Sequence, residues 1–245
     1  MQKNTHVIEI NDLCFAWKKQ AKPVLDIPTL KVNQGESVFL RGPSGSGKST
    51  LLSLLAGISL TQSGSIKILD QELTILSGAQ RDHFRAHHIG FIYQMFNLIP
   101  YLSVIENVTL PCRFSSIRKQ KVLSQSGSPE EEAIRLLDHL DMAHDEVLHK
   151  RVNELSVGQQ QRVAAARALI GSPEIVIADE PTSSLDADRR STFIDLLFRE
   201  CEVSDSTLVF VSHDRSLESP FDRTIEFKDI NHAGDDSLKN TDQVS

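Results

Sequence analysis

Long apolar runs are the clearest thing missing from this 245-residue chain. The longest, Leu51 to Leu60, is broken by Ser53 and Gly57. It falls far short of the ~20 residues that a membrane-spanning helix needs. The first residues, MQKNTHVIEI, go straight into a strand-like alternation and carry no apolar signal region, so a place in the cytosol is expected unless a partner holds the chain to a membrane. Cysteine is scarce. Cys14, Cys112 and Cys201 are odd in number, scattered and without metal-site spacing, which points to buried reduced thiols. Positive charge is outweighed, 26 Lys and Arg against 33 Asp and Glu, and the net −7 disfavours a nucleic-acid-binding surface. No internal repeat is visible. The remaining composition, 40% apolar and 24% charged, is that of an ordinary globular protein, one large domain or two small ones.

What is present is concentrated in GPSGSGKST, Gly42 to Thr50. An apolar run, Ser37 to Leu40, precedes it and reads as a buried strand. LLSLLAGI, Leu51 to Ile58, follows and reads as a helix. Strand, glycine-rich turn and helix in that order make a phosphate-binding loop, G-x-x-x-x-G-K-[ST] with every fixed position filled. Gly42, Gly45 and Gly47 let the backbone come close to an anion, since no Cβ stands in the way. Successive N–H groups form a nest, and the helix N-terminus adds partial positive charge. Lys48 supplies a mobile cation for the β- and γ-phosphates, and Ser49 a hydroxyl for Mg²⁺. Ser44, Ser46 and Thr50 complete the candidate nucleotide-binding set.

Along the chain, His6 to Trp17 and Val24 to Val32 read as strands, with Asn33-Gln34-Gly35 as the turn into the strand before the loop. Gly64 to Leu69 is another alternating strand, Ala79 to His87 a short polar helix and Ile89 to Tyr93 a strand again. The expectation is a small, largely antiparallel sheet beside a nucleotide-binding core. Helical signals dominate from Met95 to Asn153, with Ala133, Leu137 and Leu140 at helical spacing behind Glu130 to Glu132. Ser115 to Pro129 is polar; its second half reads as a loop and its Lys and Arg as a solvated face. LSVGQQQRVAAARALIGSP, Leu155 to Pro173, is a strong helix. Ser156 and Gln159 have capping-box spacing at its start, and Gly171 and Pro173 end it. Glu174 to Ala178 reads as a buried strand of a parallel sheet covered on both faces. Asp188 to Cys201 is an amphipathic helix, and Thr207 to Val211 and Thr224 to Phe227 are the last strands. Asn231 to Ser245 is polar and acidic and reads as a disordered tail.

Asp179 and Glu180 close the strand IVIA at its carboxyl end, where ligands bind in an open parallel sheet. A carboxylate there can hold Mg²⁺, and its neighbour can polarise an attacking water.

With these motifs in order, residues 5 to 228 resemble the ATP-binding-cassette ATPase family. The family's signature LSGGQ appears as LSVGQ, Leu155 to Gln159. Walker B with its catalytic glutamate appears as IVIADEP, Ile175 to Pro181. The D-loop appears as SSLD, Ser183 to Asp186, the switch histidine as His213 in VFVSHD, and the Q-loop glutamine as Gln94 in FIYQ. The resemblance implies an α/β P-loop fold with a RecA-like parallel core (about 5–93 and 160–230), a small N-terminal antiparallel β subdomain and a helical signature subdomain (about 95–159). It implies ATP and Mg²⁺ as ligands and a head-to-tail homodimer closing on two nucleotides. One copy would give each site Lys48, Ser49, Gln94, Asp179, Glu180 and His213; the other would give Ser156, Gly158 and Gln159. Ser49, Gln94 and Asp179 would hold the metal, Glu180 would be the general base, His213 would contact the γ-phosphate, and Asp186 would couple the two sites. Trp17 falls where the family stacks an aromatic on adenine, with Phe15 as the rival.

One position departs from the pattern: Val157 replaces the signature's first glycine. Positive φ there would strain a β-branched residue; the negative φ of a helix start would not. The expectation is an active site with slower hydrolysis. The stretch Arg85 to Pro111, the short N-terminal strands and the absence of a C-terminal regulatory domain resemble the subgroup powering lipoprotein-releasing and macrolide-export-type transporters. That implies an integral membrane permease with a large periplasmic domain and a position on the cytoplasmic face of the inner membrane, with no direct insertion. Met95, Phe96, Leu98, Ile99 and Tyr101 are split between core and permease contact. The alternative is a cell-division-type ATPase that regulates a wall hydrolase and transports nothing.

Overall fold

A computed structural model describes residues 6–18, 22–142, 145–183 and 187–233. Two sheets organise it. β1 (His6–Phe15), β2 (Leu25–Asn33), β4 (Ser63–Ile68) and β5 (Gln71–Glu72) form an antiparallel sheet in the order β2-β1-β4-β5. Its register sets Ile10 opposite both Leu30 and Ile66, so the apolar half of each alternation lies on one buried face. β3 (Ser37–Arg41), β6 (Ile89–Ile92), β7 (Ile175–Asp179), β8 (Thr207–Ser212) and β9 (Arg223–Glu226) form a parallel sheet in the order β6-β7-β8-β3-β9.

The parallel strands read as continuous apolar runs because both faces are covered. Val38, Leu40, Ile177, Val209 and Val211 face a core shared with the antiparallel sheet and with α1 (Lys48–Leu55). Their neighbours Phe39, Val176, Ala178, Leu208 and Phe210 face a second core, built with α3 (Val104–Phe114), α5 (Pro129–His139), α7 (Val157–Leu169) and α8 (Ala187–Val203). The remaining helices are α2 (Gly78–His88), α4 (Ser116–Ser126), α6 (Asp145–Leu148) and α9 (Phe227–Ile230). Among the described residues no helix is long and apolar enough to cross a membrane, and the three cysteines are free, Cys112 and Cys201 buried.

Most expected elements stand within a residue or two of their sequence limits. Two readings in Ser115–Pro129 do not. Its second half is helix, α4 running to Ser126 and stopping at Gly127 with φ 82°. Its basic residues are not a uniformly solvated face. Arg118 is 2% exposed and donates toward the carbonyls of His87, Ala168 and Ile170. The polar composition hid a narrow inward stripe, Arg118 and Val122, sufficient to dock the helix. Strand β1 ends at Phe15, so Trp17 lies beyond it rather than in alternation with it. Residues 234–245 of the expected tail and Ser184–Asp186 of the expected D-loop lie outside the described residues. Asn231 is tied down. It accepts from the Asp26 N–H (2.8 Å) and donates to the carbonyls of Val24 (3.0 Å) and Ser46 (3.3 Å).

Ahead of β7, Glu174 joins α4 to α2 through Lys121 (2.9 Å) and His88 (3.0 Å). Burial opposes its ionisation, but the bonds from His88 and Lys121 outweigh it and hold the carboxyl at about 2. A carboxylate depressed on folding stabilises above its ordinary value of 4.5, and that stability is lost as pH falls from there toward about 2. The pair is about one-third exposed, and solvent screening leaves ~1–2 kcal/mol. Glu174→Gln should therefore lose that amount at neutral pH and flatten the acid limb. Urea midpoints between pH 2 and pH 7 measure both; an unchanged acid limb contradicts the assignment.

Candidate nucleotide site

The strand order puts the chemical residues on one edge. β6, β7, β8 and β3 are adjacent and parallel, so their carboxyl ends lie together. Gln94 follows β6, Asp179 and Glu180 end β7, His213 follows β8, and Gly42 to Ser49 follow β3. This is the crevice where an open α/β sheet takes its ligand.

In the loop after β3, Gly47 caps α1 with φ 109°, a conformation closed to residues with a side chain; an added Cβ would meet Leu25 at 2.9 Å. Lys48 is buried and donates to the carbonyls of Gly42 (2.7 Å) and Pro43 (2.8 Å). Burial pushes its ammonium pKa down, while Glu180 and Asp179 pull it back up. Ser44, Gly45 and Ser49 are exposed, Ser46 and Gly47 are half-buried, and Thr50 is buried.

The Ser49 hydroxyl neighbours Asp179. Burial and Glu180 raise the Asp179 pKa against the pull of Ser49 and Lys48. Asp179 Oδ1 and Ser46 Oγ are buried without a protein partner. Such orphans mark a place built for something outside the chain. The donors near Asp179 are oxygens, a hydroxyl and a carboxylate, with the Gln94 amide exposed at the end of the neighbouring strand. An all-oxygen set suits Mg²⁺. Glu180 has φ 45°, a left-handed value costing ~1–3 kcal/mol in a residue with a side chain. Its N–H donates to Val211 (3.0 Å), and its Oε2 lies 3.2 Å from His213 Nδ1. The backbone strain aims the carboxylate at the neighbouring strand end, where Glu180, Ser183, Ser212 and His213 line a small cavity of about 40 Å³.

The other predicted residues sit elsewhere. Ser156, Gly158 and Gln159 form the first turn of α7. There the Ser156 hydroxyl accepts from the Gln159 N–H (3.3 Å), and the Gln159 side chain accepts from the Ser156 N–H (2.9 Å). The capping box is therefore present. Among the described residues no hydrogen bond joins this turn to Gly42–Thr50. Val157, the first helical residue, is not among the left-handed positions, so the valine carries no backbone strain. Of the two candidate aromatics, Phe15 is buried at 4% exposure and Trp17 is open at 64%, with the rings edge to face at 5.1 Å. Phe96 is buried and Leu98 packs on the core, whereas Met95 and Tyr101 are exposed.

Two residues that sequence reading passed over hold the loop between β6 and α3. Asn107, fully buried on α3, accepts from the Ile99 N–H (2.8 Å) and donates to Ile99, Leu102 and Ser103 carbonyls. Arg167 on α7 donates to Phe96 and Asn97 carbonyls. A polar residue on an otherwise apolar helix face, Asn107 between Val104 and Val108, was the one available signal.

Strand, glycine-rich turn, helix and an acidic pair two strands away define a P-loop nucleoside triphosphatase. Within that class the chain belongs to the ABC transporter family, whose model matches residues 25–183. It is an ABC-type ATPase with the α/β fold of that family. Among its relatives is the "Lipoprotein-releasing system ATP-binding protein LolD" of Xanthomonas axonopodis pv. citri (strain 306), 38% identical over 92% of this chain and 89% of the relative. The protein of the same name from Syntrophotalea carbinolica (strain DSM 2380 / NBRC 103641 / GraBd1) is 35% identical over 94% and 98%. Among solved structures, the dimeric post-hydrolysis state of the ATP-binding cassette MJ0796 bound to ADP and Pi superposes with a TM-score of 0.77 at 30% identity, covering 89% of this chain and 93% of that one.

Proposed function

We propose that this chain is the ATP-hydrolysing subunit of a lipoprotein-releasing-type transporter, working as a head-to-tail pair on the cytoplasmic face of the inner membrane, bound to a permease with a large periplasmic domain. One observation carries the reading. The parallel sheet gathers Lys48, Ser49, Asp179, Glu180 and His213 at its carboxyl end, while the Ser156 turn, a helix N-terminus suited to an anion, is exposed and, among the described residues, shares no hydrogen bond with Gly42–Thr50. A second copy supplies that turn to the first copy's nucleotide. The relatives' printed function and the dimeric solved cassettes support the pairing and the partner class.

In this reading Lys48 exchanges its carbonyl contacts for β- and γ-phosphate oxygens, and the N–H groups of the glycine turn hold the rest. Trp17 stacks on the adenine. Ser49, Asp179 and Gln94 hold Mg²⁺, which when bound neutralises phosphate charge. Glu180 takes the proton from the attacking water, and His213, beside it, holds the γ-phosphate. The partner's Ser156, Gly158 and Gln159 close the site. Asp186 couples the two sites. The core spans about 5–93 and 160–230, and the helical part about 95–159. The permease segment docks in a groove of about 520 Å³ between α2, β6 and α3, beside exposed Phe114.

The experiment is affinity capture from solubilised membranes. A multi-span permease with a large periplasmic domain should co-purify and stimulate the ATPase, and lipoprotein release should depend on both. Capture of a permease that activates a wall hydrolase without moving cargo establishes the cell-division alternative instead.

A further inference from the structure

Arg167 lies ten residues beyond Val157, the first helical residue of α7, about 15 Å along the helix at 1.5 Å per residue. Its guanidinium leaves the helix and spans a gap of seventy residues in sequence. Nη1 donates to the Asn97 carbonyl at 2.7 Å, and Nη2 to the Phe96 carbonyl at 2.6 Å. Among the described residues it has no carboxylate within ion-pair distance, and burial pushes its pKa down. A half-buried cation spent only on two carbonyls is costly, and the structure of its target explains why it is there.

Phe96 and Asn97 are consecutive left-handed residues, φ 60° and 48°, neither of them glycine. They close the bend that contains Gln94: the Phe96 N–H donates to Tyr93 (2.9 Å) and the Asn97 N–H to Met95 (2.6 Å). That conformation is disfavoured for residues with side chains and persists only when its surroundings fix it. Arg167 supplies the fixing contact on the carbonyl side. Its planar fork holds two acceptors in one fixed geometry, which the flexible, point-like ammonium of a lysine does not impose.

We propose that Arg167 is a positioning residue for hydrolysis, clamping the 93–97 bend to the signature helix so that Gln94 is presented to the metal. The inference rests on the proposed roles of Gln94 and of the Ser156 turn. With those roles, α7 is a rod that meets the partner copy's nucleotide at one end and sets the chain's own Gln94 at the other. Arg167, Tyr93 and Asn97 also line the 520 Å³ groove, so an occupant there bears on the same clamp.

The test uses the purified full chain. Arg167→Lys and Arg167→Gln are assayed for ATPase rate against Mg²⁺ at saturating ATP, for ATP affinity in EDTA by calorimetry, and for unfolding midpoint. The half-saturating Mg²⁺ concentration should rise about tenfold and kcat fall about tenfold, with metal-free ATP affinity within about twofold of wild type. A purely structural role would lower the unfolding midpoint and the active fraction but leave the Mg²⁺ half-saturation unmoved, and that result overturns the proposal. Gln94→Ala separates the two levels. If it shifts the Mg²⁺ dependence and the Arg167 variants do not, the clamp is wrong. If Gln94→Ala shifts nothing, the metal role of Gln94 is wrong and the clamp falls with it.

Discussion

Glu180→Gln should abolish turnover while leaving ATP binding intact, and the purified variant should accumulate as an ATP-loaded dimer. The substitution keeps the side chain's length and leaves the Glu180 N–H bond to Val211 in place, because that bond is made by the backbone. What it removes is an acceptor able to take a proton. A positioned general base contributes ~10²–10⁴-fold, so a fall of about 10³ in kcat is expected. The partner at 3.2 Å, His213, loses an ion-pair acceptor but keeps a hydrogen-bonding one. Light scattering with ATP and Mg²⁺ should give twice the 27.3 kDa of one chain. Hydrolysis at the wild-type rate would assign the base elsewhere.

Ser156→Arg should be nearly as damaging to hydrolysis, by a different route. Ser156 caps α7, stands exposed and, among the described residues, makes no hydrogen bond to Gly42–Thr50. If its turn serves the neighbouring copy, a long cation there blocks closure without touching the loop that binds phosphate. Loss of the positioned donors should cost about 10²-fold or more in kcat. ATP affinity of the isolated subunit, read by calorimetry, should stay within a few-fold. Lys48→Ala should lose both. The contrast between the two variants is the diagnostic: equal loss of ATP affinity in both would put the Ser156 turn in the chain's own site and dissolve the paired arrangement.

The sequence alone carried the strands, because their two kinds of burial leave two kinds of pattern. β1 and β2 alternate because one face is covered, whereas β7 and β8 are continuous because both are. The phosphate loop was equally legible, since Gly45 and Gly47 occupy left-handed positions that restrict residue choice. Two kinds of feature were not legible. A helix with little apolar surface, α4, looks like a loop until its docking partner is known. Long-range side-chain clasps leave almost no local trace: Arg118 to Ala168 and Arg167 to Phe96 are ordinary polar letters, and only Asn107, set between Val104 and Val108, carried a local signal. The left-handed turns at Phe96, Asn97 and Glu180 were hidden for the same reason, since propensity argues against them and tertiary contacts overrule it.

Asn231 bears on how the protein can be handled in the laboratory. Its amide sits behind the glycine turn, joining β2 and the Ser46 carbonyl to the end of the last helix. Shortening the chain to residue 230 would strip a buckle from the back of the nucleotide cradle. An affinity handle grafted beyond Ala233 leaves that buckle fastened.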